Sequence, residues 1–326
     1  MSRAMTPEEF RHQFVGIENA VHQVIVGMNQ PIRDCLMAAV CGGNVLLEGV
    51  PGLGKTLLVK SLSEALHLDF ARIQFTPDLM PADITGTRIV NEGDDGRKRF
   101  ELHRGPIFNQ IVLADEINRA TPKTQSALLE AMQERQVTIV GETHALPTPF
   151  FVVATQNPLE MDGTYPLPEA QLDRFFFKLR VRFPSLEDMR SILFRTTRNQ
   201  VESITAVCDG DTLLAMGRTV REVLVKESVQ DYAIRLMLAT HPGGDESPEV
   251  VERFVRFGAS PRGAQAMLLA AKCRALLAGR ENTAIEDLQA IARPALRHRL
   301  ILNFEGEAEG LDPDTVVTTI LESLPV

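Results

Sequence analysis

The chain has 326 residues, of which 44% are hydrophobic and 24% are charged, values typical of a globular protein with room for about two domains. Its net charge of −9 argues against a general nucleic-acid binder, because phosphate contacts need a basic surface. No apolar run approaches a membrane span, and the first ten residues lack a signal-peptide core, so we expect a cytoplasmic protein without membrane insertion.

Short apolar runs alternate with helical patterns through the first half of the chain. Helical periodicity extends from Pro7 to Val40 and is expected to break near Gly27 and Pro31. Strands are predicted at 44–48, 70–75, 111–115, 150–155 and 175–181. Near-continuous apolar strands separated by helices predict a parallel five-stranded sheet covered on both faces, an αβα sandwich of the α/β class.

The segment GVPGLGKT at 49–56 fits the phosphate-loop pattern G-x-x-x-x-G-K-[ST]. A strand is predicted before it and a helix at 57–66 after it, so backbone N–H groups and the positive helix end face the phosphates. Lys55 supplies a charge for the β- and γ-phosphates, and Thr56 supplies an oxygen for Mg²⁺. The predicted nucleotide-binding residues of this loop are Gly49, Pro51, Gly52, Gly54, Lys55 and Thr56.

Two segments of the first half do not fit a minimal sheet of strands and helices. Residues 87–102 predict a β-hairpin with an acidic, glycine-bearing turn at 91–96, and residues 136–146 predict a second hairpin. Between them, Thr121 and Pro122 predict the start of a helix, a capping hydroxyl followed by proline at the first position. Both hairpins are expected to project from the sheet.

The predicted strand at 111–115 ends in two carboxylates, Asp115 and Glu116. In phosphate-loop enzymes this strand ends beside the γ-phosphate, where Asp115 can hold Mg²⁺ through water and Glu116 can activate the attacking water. Such a pair alone is more often a solvated strand end. The phosphate loop earlier in the chain favours the catalytic interpretation.

Three further polar side chains are candidates for the same chemistry. Asn157 can hydrogen-bond the attacking water or a phosphate oxygen, although asparagine before proline is also a common turn residue. Arg174 can present its guanidinium to developing phosphate charge, or form a surface ion pair with Asp173 or Glu169. Arg262 can reach back to the nucleotide across an interdomain cleft, or remain an exposed first-turn arginine.

The second half of the chain has a helical pattern. Helices are predicted at 185–197, 211–226, 229–241, 260–278 and 285–302, with a loop at 243–248. A boundary near Phe183 and Pro184 divides the chain into a nucleotide-binding domain at 1–183 and an all-α domain at 184–326. The four cysteines lack metal-ligand spacing and are expected to be buried, reduced thiols.

These motifs together resemble the AAA+ ATPases and, within them, the MoxR family. The resemblance covers nearly the whole chain and is carried by GVPGLGKT (49–56), DEINRA (115–120), ATQNP (154–158), LPEAQLDRF (167–175) and ASPRG (259–263). It implies that the all-α domain is a lid, and that ATP and Mg²⁺ are used by a homo-oligomeric ring, a hexamer. The one small departure is Gly263, where such proteins often carry alanine.

The resemblance also implies a role for each site residue. The pairs at 55–56 and 115–116 correspond to the Walker A and Walker B motifs. Asn157 resembles sensor 1, and Arg174 resembles an arginine finger that acts in the neighbouring subunit. Arg262 resembles sensor 2, carried on the lid.

By the same resemblance, the hairpins at 87–102 and 136–146 are the helix-2 insert and the pre-sensor-1 hairpin. Gln74 and Thr76 are the candidates for the residue called the glutamate switch, without a clear match. The implied partner is a protein with a von Willebrand factor A domain. The pair would act as a chaperone in maturation, in metal or cofactor insertion, or in complex assembly.

Three other functions remain open. A magnesium-chelatase-type subunit would share the hairpins and serve a porphyrin-handling complex. A nucleic-acid-remodelling motor is possible because basic residues at 97–99 can line a pore, although the acidic charge disfavours it. A scaffold that binds ATP without turnover is disfavoured by the presence of Glu116 and Arg174.

Overall fold

The structure, a computed structural model, describes residues 5–92, 98–158, 163–198 and 203–325. The α-helices are α1 (Pro7–Val24), α2 (Asn29–Cys41), α3 (Lys55–Ala65), α4 (Pro81–Thr85), α5 (Pro122–Glu134), α6 (Glu169–Leu172), α7 (Leu186–Thr196), α8 (Gly210–Glu222), α9 (Glu227–Leu238), α10 (Glu249–Phe254), α11 (Pro261–Leu277), α12 (Ile285–Leu296), α13 (Phe304–Ala308) and α14 (Pro313–Ser323). The strands are β1 (Val45–Glu48), β2 (Phe70–Gln74), β3 (Gly86–Glu92), β4 (Lys98–Arg104), β5 (Ile111–Asp115), β6 (Gln136–Ile139), β7 (Glu142–Ala145), β8 (Phe151–Gln156), β9 (Phe177–Arg180), β10 (Val255–Phe257) and β11 (Ile301–Leu302).

The central sheet has five parallel strands in the order β2-β5-β8-β1-β9. Val45 of β1 is in register with Val153 of β8 on one side and with Phe177 of β9 on the other. The five predicted strands and their parallel arrangement are therefore confirmed, with ends within two residues of the prediction. All five strands point the same way, so the segments that follow them meet at one edge.

Side chains of each strand alternate between two apolar layers. Val45 and Leu47 pack with α1, α2 and α3, whereas Leu46 packs with α5 on the opposite face. The same alternation holds for β5, where Leu113 joins the first layer and Val112 the second. Each strand has a period of two and is buried on both faces, which explains why its sequence is apolar without interruption.

The C-terminal half is predominantly helical, as predicted. Helix α11 packs against α1 and α2, and α8 packs against α2, so their apolar residues belong to the same buried cluster as one face of the sheet. Helix α14, the short helices α10 and α13 and the two-stranded ribbon of β10 and β11 were not predicted. The domain boundary near Phe183 stays a prediction.

Both predicted hairpins are present. In the first, β3 and β4 pair antiparallel from Gly86 with Arg104 to Glu92 with Lys98, and the turn at 93–97 lies outside the described residues. In the second, β6 pairs with β7. An ion pair between Arg88 and Glu142 joins the two hairpins to each other.

Local details of the helices differ from the prediction. The break between the first two helices lies at 25–28. Pro31 belongs to the first turn of α2, where a backbone N–H would have no helical acceptor, so the proline costs no hydrogen bond. Thr121 is the N-cap of α5, but its hydroxyl makes no capping bond and lies 3.2 Å from Thr124 Oγ1. Helix α8 ends at Glu222 because the chain then turns extended and Leu224 N–H donates to the Glu281 carbonyl.

No helix in the described part of the chain is long and apolar enough to cross a membrane. All four cysteines are free thiols. Three are buried as expected, and Cys208 is partly exposed.

A charged residue, Asp34, lies buried on α2 and is only 3% exposed. Its carboxyl accepts a hydrogen bond from Gln30 Nε2 at 2.8 Å. Burial nevertheless raises the pKa of Asp34 to about 6, although that bond and the nearby charges of Arg274, Arg297 and Arg33 act in the opposite direction. The ionised carboxyl is therefore a net cost to the folded chain at neutral pH.

We predict that Asp34→Asn raises the free energy of unfolding at pH 7.5 by on the order of 1–3 kcal/mol. The pKa of Asp34 is higher in the folded chain than in the unfolded chain. The contribution of the protonated carboxyl to stability is therefore fully present below the ordinary pKa of 3.8 and is lost as pH rises through about 6. The gain should therefore vanish near pH 4. Denaturant unfolding at both pH values measures it, with the exposed helix cap Asp209→Asn as control. A loss of stability at pH 7.5 would contradict the prediction.

Candidate functional site

The phosphate loop connects the carboxyl end of β1 to the start of α3. Gly52 and Gly54 have φ values of 80° and 82°, in the left-handed region that glycine adopts without strain. Gly54 is the N-cap of α3 and offers no capping side chain, so the first N–H groups of the helix can bind an anion. Pro51 and Gly52 are exposed at the loop surface, where a ligand can approach.

Lys55 lies over this loop. Its Nζ donates hydrogen bonds to the carbonyl oxygens of Gly49 and Val50, the second at 3.2 Å. Burial lowers the pKa of Lys55, and the nearby charges of Asp115 and Glu116 oppose that shift. The ammonium is thus held at the loop by backbone acceptors that phosphate oxygens can replace.

The ends of β5, β8 and β1 converge at this edge of the sheet. Gly49 N–H donates to the Gln156 carbonyl at 3.2 Å, which ties the loop to the end of β8. On β8, the fully buried Thr155 hydroxyl donates to Asp115 Oδ1 at 2.6 Å. Thr155 Oγ1 also accepts a hydrogen bond from the Glu116 N–H at 2.8 Å. Thr155 therefore positions both carboxylate residues from the neighbouring strand.

Two side chains of β2 contact the same carboxylates. Arg72 donates to Asp115 Oδ2 from Nε at 3.0 Å and from Nη2 at 2.7 Å. Gln74 Nε2 donates to Glu116 Oε2 at 2.8 Å, and Arg119 Nε lies 3.3 Å from the same oxygen. Both carboxylates are consequently bound to neighbouring side chains in this conformation.

Glu116 itself has an unusual backbone, with φ of 58° in the left-handed region. A residue with a β-carbon adopts this conformation at a cost on the order of 1 kcal/mol, and such residues cluster at functional sites. The turn directs the chain from β5 into the 3₁₀ turn at Ile117–Arg119 and leaves the Glu116 side chain 23% exposed at the sheet edge. Asn157, just after β8, is buried near the same edge.

The residues at this edge fit a magnesium ion. Within the described residues no three His, Cys, Asp or Glu side chains cluster as a metal site, so an all-protein cage is absent there. Mg²⁺ is usually held by one or two protein oxygens together with substrate phosphates. Thr56, at the second position of α3, and Asp115 supply such oxygens, and Asp115 would exchange part of its pairing with Arg72.

A cavity of about 990 Å³ adjoins the phosphate loop. Its walls come from the loop, from the α1–α2 connection, from α7 and from α12. Apolar side chains line much of it, as suits a flat aromatic base. The apolar lining residues include Val24, Ile25, Met28, Leu53, Leu57, Met189, Ile192 and Pro294.

Arg174 and Arg262 lie at the opposite end of the sheet. Phe176 N–H donates to the Asn44 carbonyl, so Arg174 precedes β9 beyond the amino end of β1. Arg262 Nη1 lies 3.3 Å from Asp173 Oδ2, beside Arg174. The length of β1, about 10 Å, separates this cluster from the phosphate loop. Of the two alternatives for Arg262, the structure shows an exposed arginine in the first turn of α11, and a contact with nucleotide stays a prediction.

Several site residues escaped the sequence prediction. Thr155 stands inside the ATQNP motif beside Asn157, and Arg72 alternates with buried Ile73 on β2, but neither pattern specifies a partner. Gln74 and Thr76 were the two candidates for the glutamate switch. Gln74 contacts Glu116, whereas the Thr76 hydroxyl hydrogen-bonds with Asp78. Only the parallel register of the strands brings these side chains together.

Comparisons with known proteins identify relatives of this chain. The family model described as ATPase family associated with various cellular activities (AAA) matches residues 44–177, and the AAA lid domain matches residues 248–320. Chaperone MoxR1 of Mycobacterium tuberculosis is 42% identical over 304 residues, covering 93% of this chain and 80% of that protein. Protein MoxR of Paracoccus denitrificans is 31% identical over 336 residues, covering 98% and 97%.

A solved structure supports the same fold. The crystal structure of a protein from Cytophaga hutchinsonii superposes with a TM-score of 0.91 at 40% sequence identity, covering 98% of this chain and 96% of that one. Each of these similarities extends over more than nine-tenths of this chain. This chain belongs to the MoxR family of AAA+ ATPases.

Proposed function

We propose that this chain assembles into a homo-oligomeric ring, a hexamer, and that the ring hydrolyses ATP to remodel a partner protein. The observation that carries the proposal is the division of the site residues between the two ends of the sheet. The phosphate loop and the acidic pair occupy the carboxyl end, and the two arginines occupy the amino end. A ring that places the amino end of one subunit against the carboxyl end of the next would complete every site.

At the carboxyl end, the loop N–H groups and Lys55 bind the phosphates. Glu116 accepts a proton from the attacking water, and Asn157 orients that water or a γ-phosphate oxygen. Thr56 and Asp115 would hold Mg²⁺, which would supply positive charge to neutralise the charge that develops on the phosphates. For this step Glu116 must exchange its bonds with Gln74 and Arg119 for the water.

At the amino end, Arg174 is half-buried, and its guanidinium has no hydrogen bond or ion pair with any residue in the described ranges. An arginine without a partner is suited to stabilise charge on a phosphate of the adjacent subunit. Arg262 is half exposed and forms an ion pair with Asp173, the residue before Arg174. Both arginines would therefore act in trans, as finger and sensor 2 of the neighbouring site.

The adenine would occupy the apolar cavity beside the loop. Leu53 and Leu57 line it on the loop side, and Pro294 of α12 lines it on the lid side. Binding there would join the sheet to the helical lid. The position of α12 supports transmission of the nucleotide state to the lid.

For the partner, we infer a chaperone role with a von Willebrand factor A domain protein, in maturation, metal or cofactor insertion, or complex assembly. The chaperone role rests on the name of the relative MoxR1, and the partner class rests on family resemblance. The hairpins are the candidate contact surface, because Val90 and Phe100 pair across the first hairpin and are 52% and 74% exposed. Four free thiols and the use of ATP support a cytoplasmic location.

We predict that Arg174→Ala alone lowers ATP turnover on the order of 10³-fold, because the finger no longer stabilises charge on the γ-phosphate. Glu116→Gln alone should also be inactive. Rings mixed from the two variants should regain measurable phosphate release, because Glu116→Gln subunits lend their fingers to intact sites. Full turnover by Arg174→Ala alone would show that the finger assignment is wrong.

We predict that Thr155→Val lowers kcat about tenfold to a hundredfold, because it removes one hydrogen bond to a charged carboxylate and one to the Glu116 backbone. Nucleotide binding, measured by titration with a fluorescent ATP analogue, should change little. Thr155→Ser keeps the hydroxyl and is the matched control. An unchanged kcat in the valine variant would remove Thr155 from the positioning of the acidic pair.

We predict that Glu116→Gln, held in its ATP-bound state, retains a von Willebrand factor A domain protein in a native pull-down. Lys55→Ala, which cannot bind ATP productively, should release it and is the matched control. Mass spectrometry of the two eluates gives the comparison. Equal recovery from both variants, or recovery of no such protein, would argue against this partner.

A further inference from the structure

A lid residue holds the segment that carries Arg174. Arg299 follows α12 and is 5% exposed. Its Nε donates to Asp173 Oδ1 at 2.8 Å, and its Nη2 donates to the carbonyl oxygens of Asp173 at 3.1 Å and Phe175 at 2.7 Å. Its Nη1 donates to the Phe176 carbonyl at 3.3 Å. One guanidinium thus binds the backbone on both sides of Arg174.

Other lid residues bind the same segment. Ser260 Oγ lies 2.8 and 2.9 Å from the two carboxylate oxygens of Asp173, and Arg262 Nη1 lies 3.3 Å from one of them. His298 Nε2 lies 3.0 Å from the Phe175 carbonyl. Burial lowers the pKa of His298 well below its ordinary value, so the ring is neutral and donates this bond from Nε2. The segment is therefore bound both by the start of α11 and by the residues that follow α12.

The chemistry of this contact requires arginine. Burial lowers the pKa of Arg299, and the charge of Asp173 opposes that shift. A planar guanidinium presents several N–H donors in fixed directions, whereas a lysine presents one compact ammonium. Lysine can keep the charge pair with Asp173 but cannot also serve the carbonyls of Phe175 and Phe176.

The same stretch of the lid also reaches the nucleotide cavity. Arg293, Pro294 and Arg297 line that cavity, and Arg299 stands two residues after the last of them. Arg297 Nη1 donates to the Lys178 carbonyl of β9 at 3.1 Å. The end of α12 therefore runs along β9 from the cavity of its own chain to the segment that bears Arg174.

We propose that Arg299, acting with Asp173, is a positioning residue for the arginine finger. Arg299 would thereby couple the lid over its own chain's nucleotide to the finger that this chain offers to the neighbouring subunit's site. The proposal rests on the trans role of Arg174 given above. Because the Arg174 side chain has no partner among the described residues, its direction depends on the backbone that Arg299 holds. A displaced finger loses transition-state stabilisation while the nucleotide pocket of the same chain remains complete.

The test is Arg299→Lys in the full chain. We expect kcat for ATP to fall about tenfold to a hundredfold, the effect of misplacing a catalytic group by about 1 Å, with binding of a fluorescent ATP analogue unchanged within about twofold. Mixing with Glu116→Gln subunits should restore turnover, because these subunits carry a correctly held finger. Arg280→Lys is the matched control, since Arg280 also pairs with a buried aspartate, Asp287, away from the finger segment, and it should keep wild-type turnover.

Asp173→Asn gives a second variant should Arg299→Lys fail to fold, and it should show the same loss of kcat and the same rescue. The proposal is overturned by wild-type kcat in the variant, or by a loss of kcat that Glu116→Gln subunits do not restore although they restore Arg174→Ala. Failure of rescue for Arg174→Ala itself would instead overturn the trans finger. The two failures are thus distinguishable.

Discussion

The parallel register of β5, β8 and β1 is the constraint on which the site depends. It sets Ala114 beside Ala154, and β8 beside β1, so that the residues following each strand meet at one edge. The hydroxyl of Thr155 then bridges to Asp115 and Glu116 across the strands. A shift of one residue in this register would turn Thr155 to the other face of the sheet and separate the acidic pair from its support.

The opposite end of the sheet has a different architecture. There the edge strand β9 begins after a segment that carries Arg174, and the buried Arg299 of the lid binds Asp173 of that segment. Breaking a buried ion pair by removal of one partner is costly, so the lid and this segment should move as one unit. The phosphate loop and Arg174 thus lie at opposite ends of the sheet, and the end of α12 runs along β9 between them.

Local patterns were sufficient for much of the fold. The strands, the phosphate loop and both hairpins depend on alternation, glycine placement and turn composition within a few residues, and these were predicted within two residues. The ends of α8 and α12 were predicted too far along the chain, because they depend on contacts with distant segments. One such contact is the hydrogen bond from the Leu224 N–H to the Glu281 carbonyl. Short elements such as α13 have too few residues for a periodic signal.

By itself, the sequence determined the αβα sheet, the phosphate loop and the acidic pair, because each depends on neighbouring residues in a recognisable order. The tertiary structure decided which side chains support that pair, and that Arg262 lies beside Arg174 at the far end of the sheet. These relations depend on strand register and on how the lid packs against β9. Neither has a signature in local sequence, because contacting residues such as Asp173 and Arg299 lie 126 positions apart.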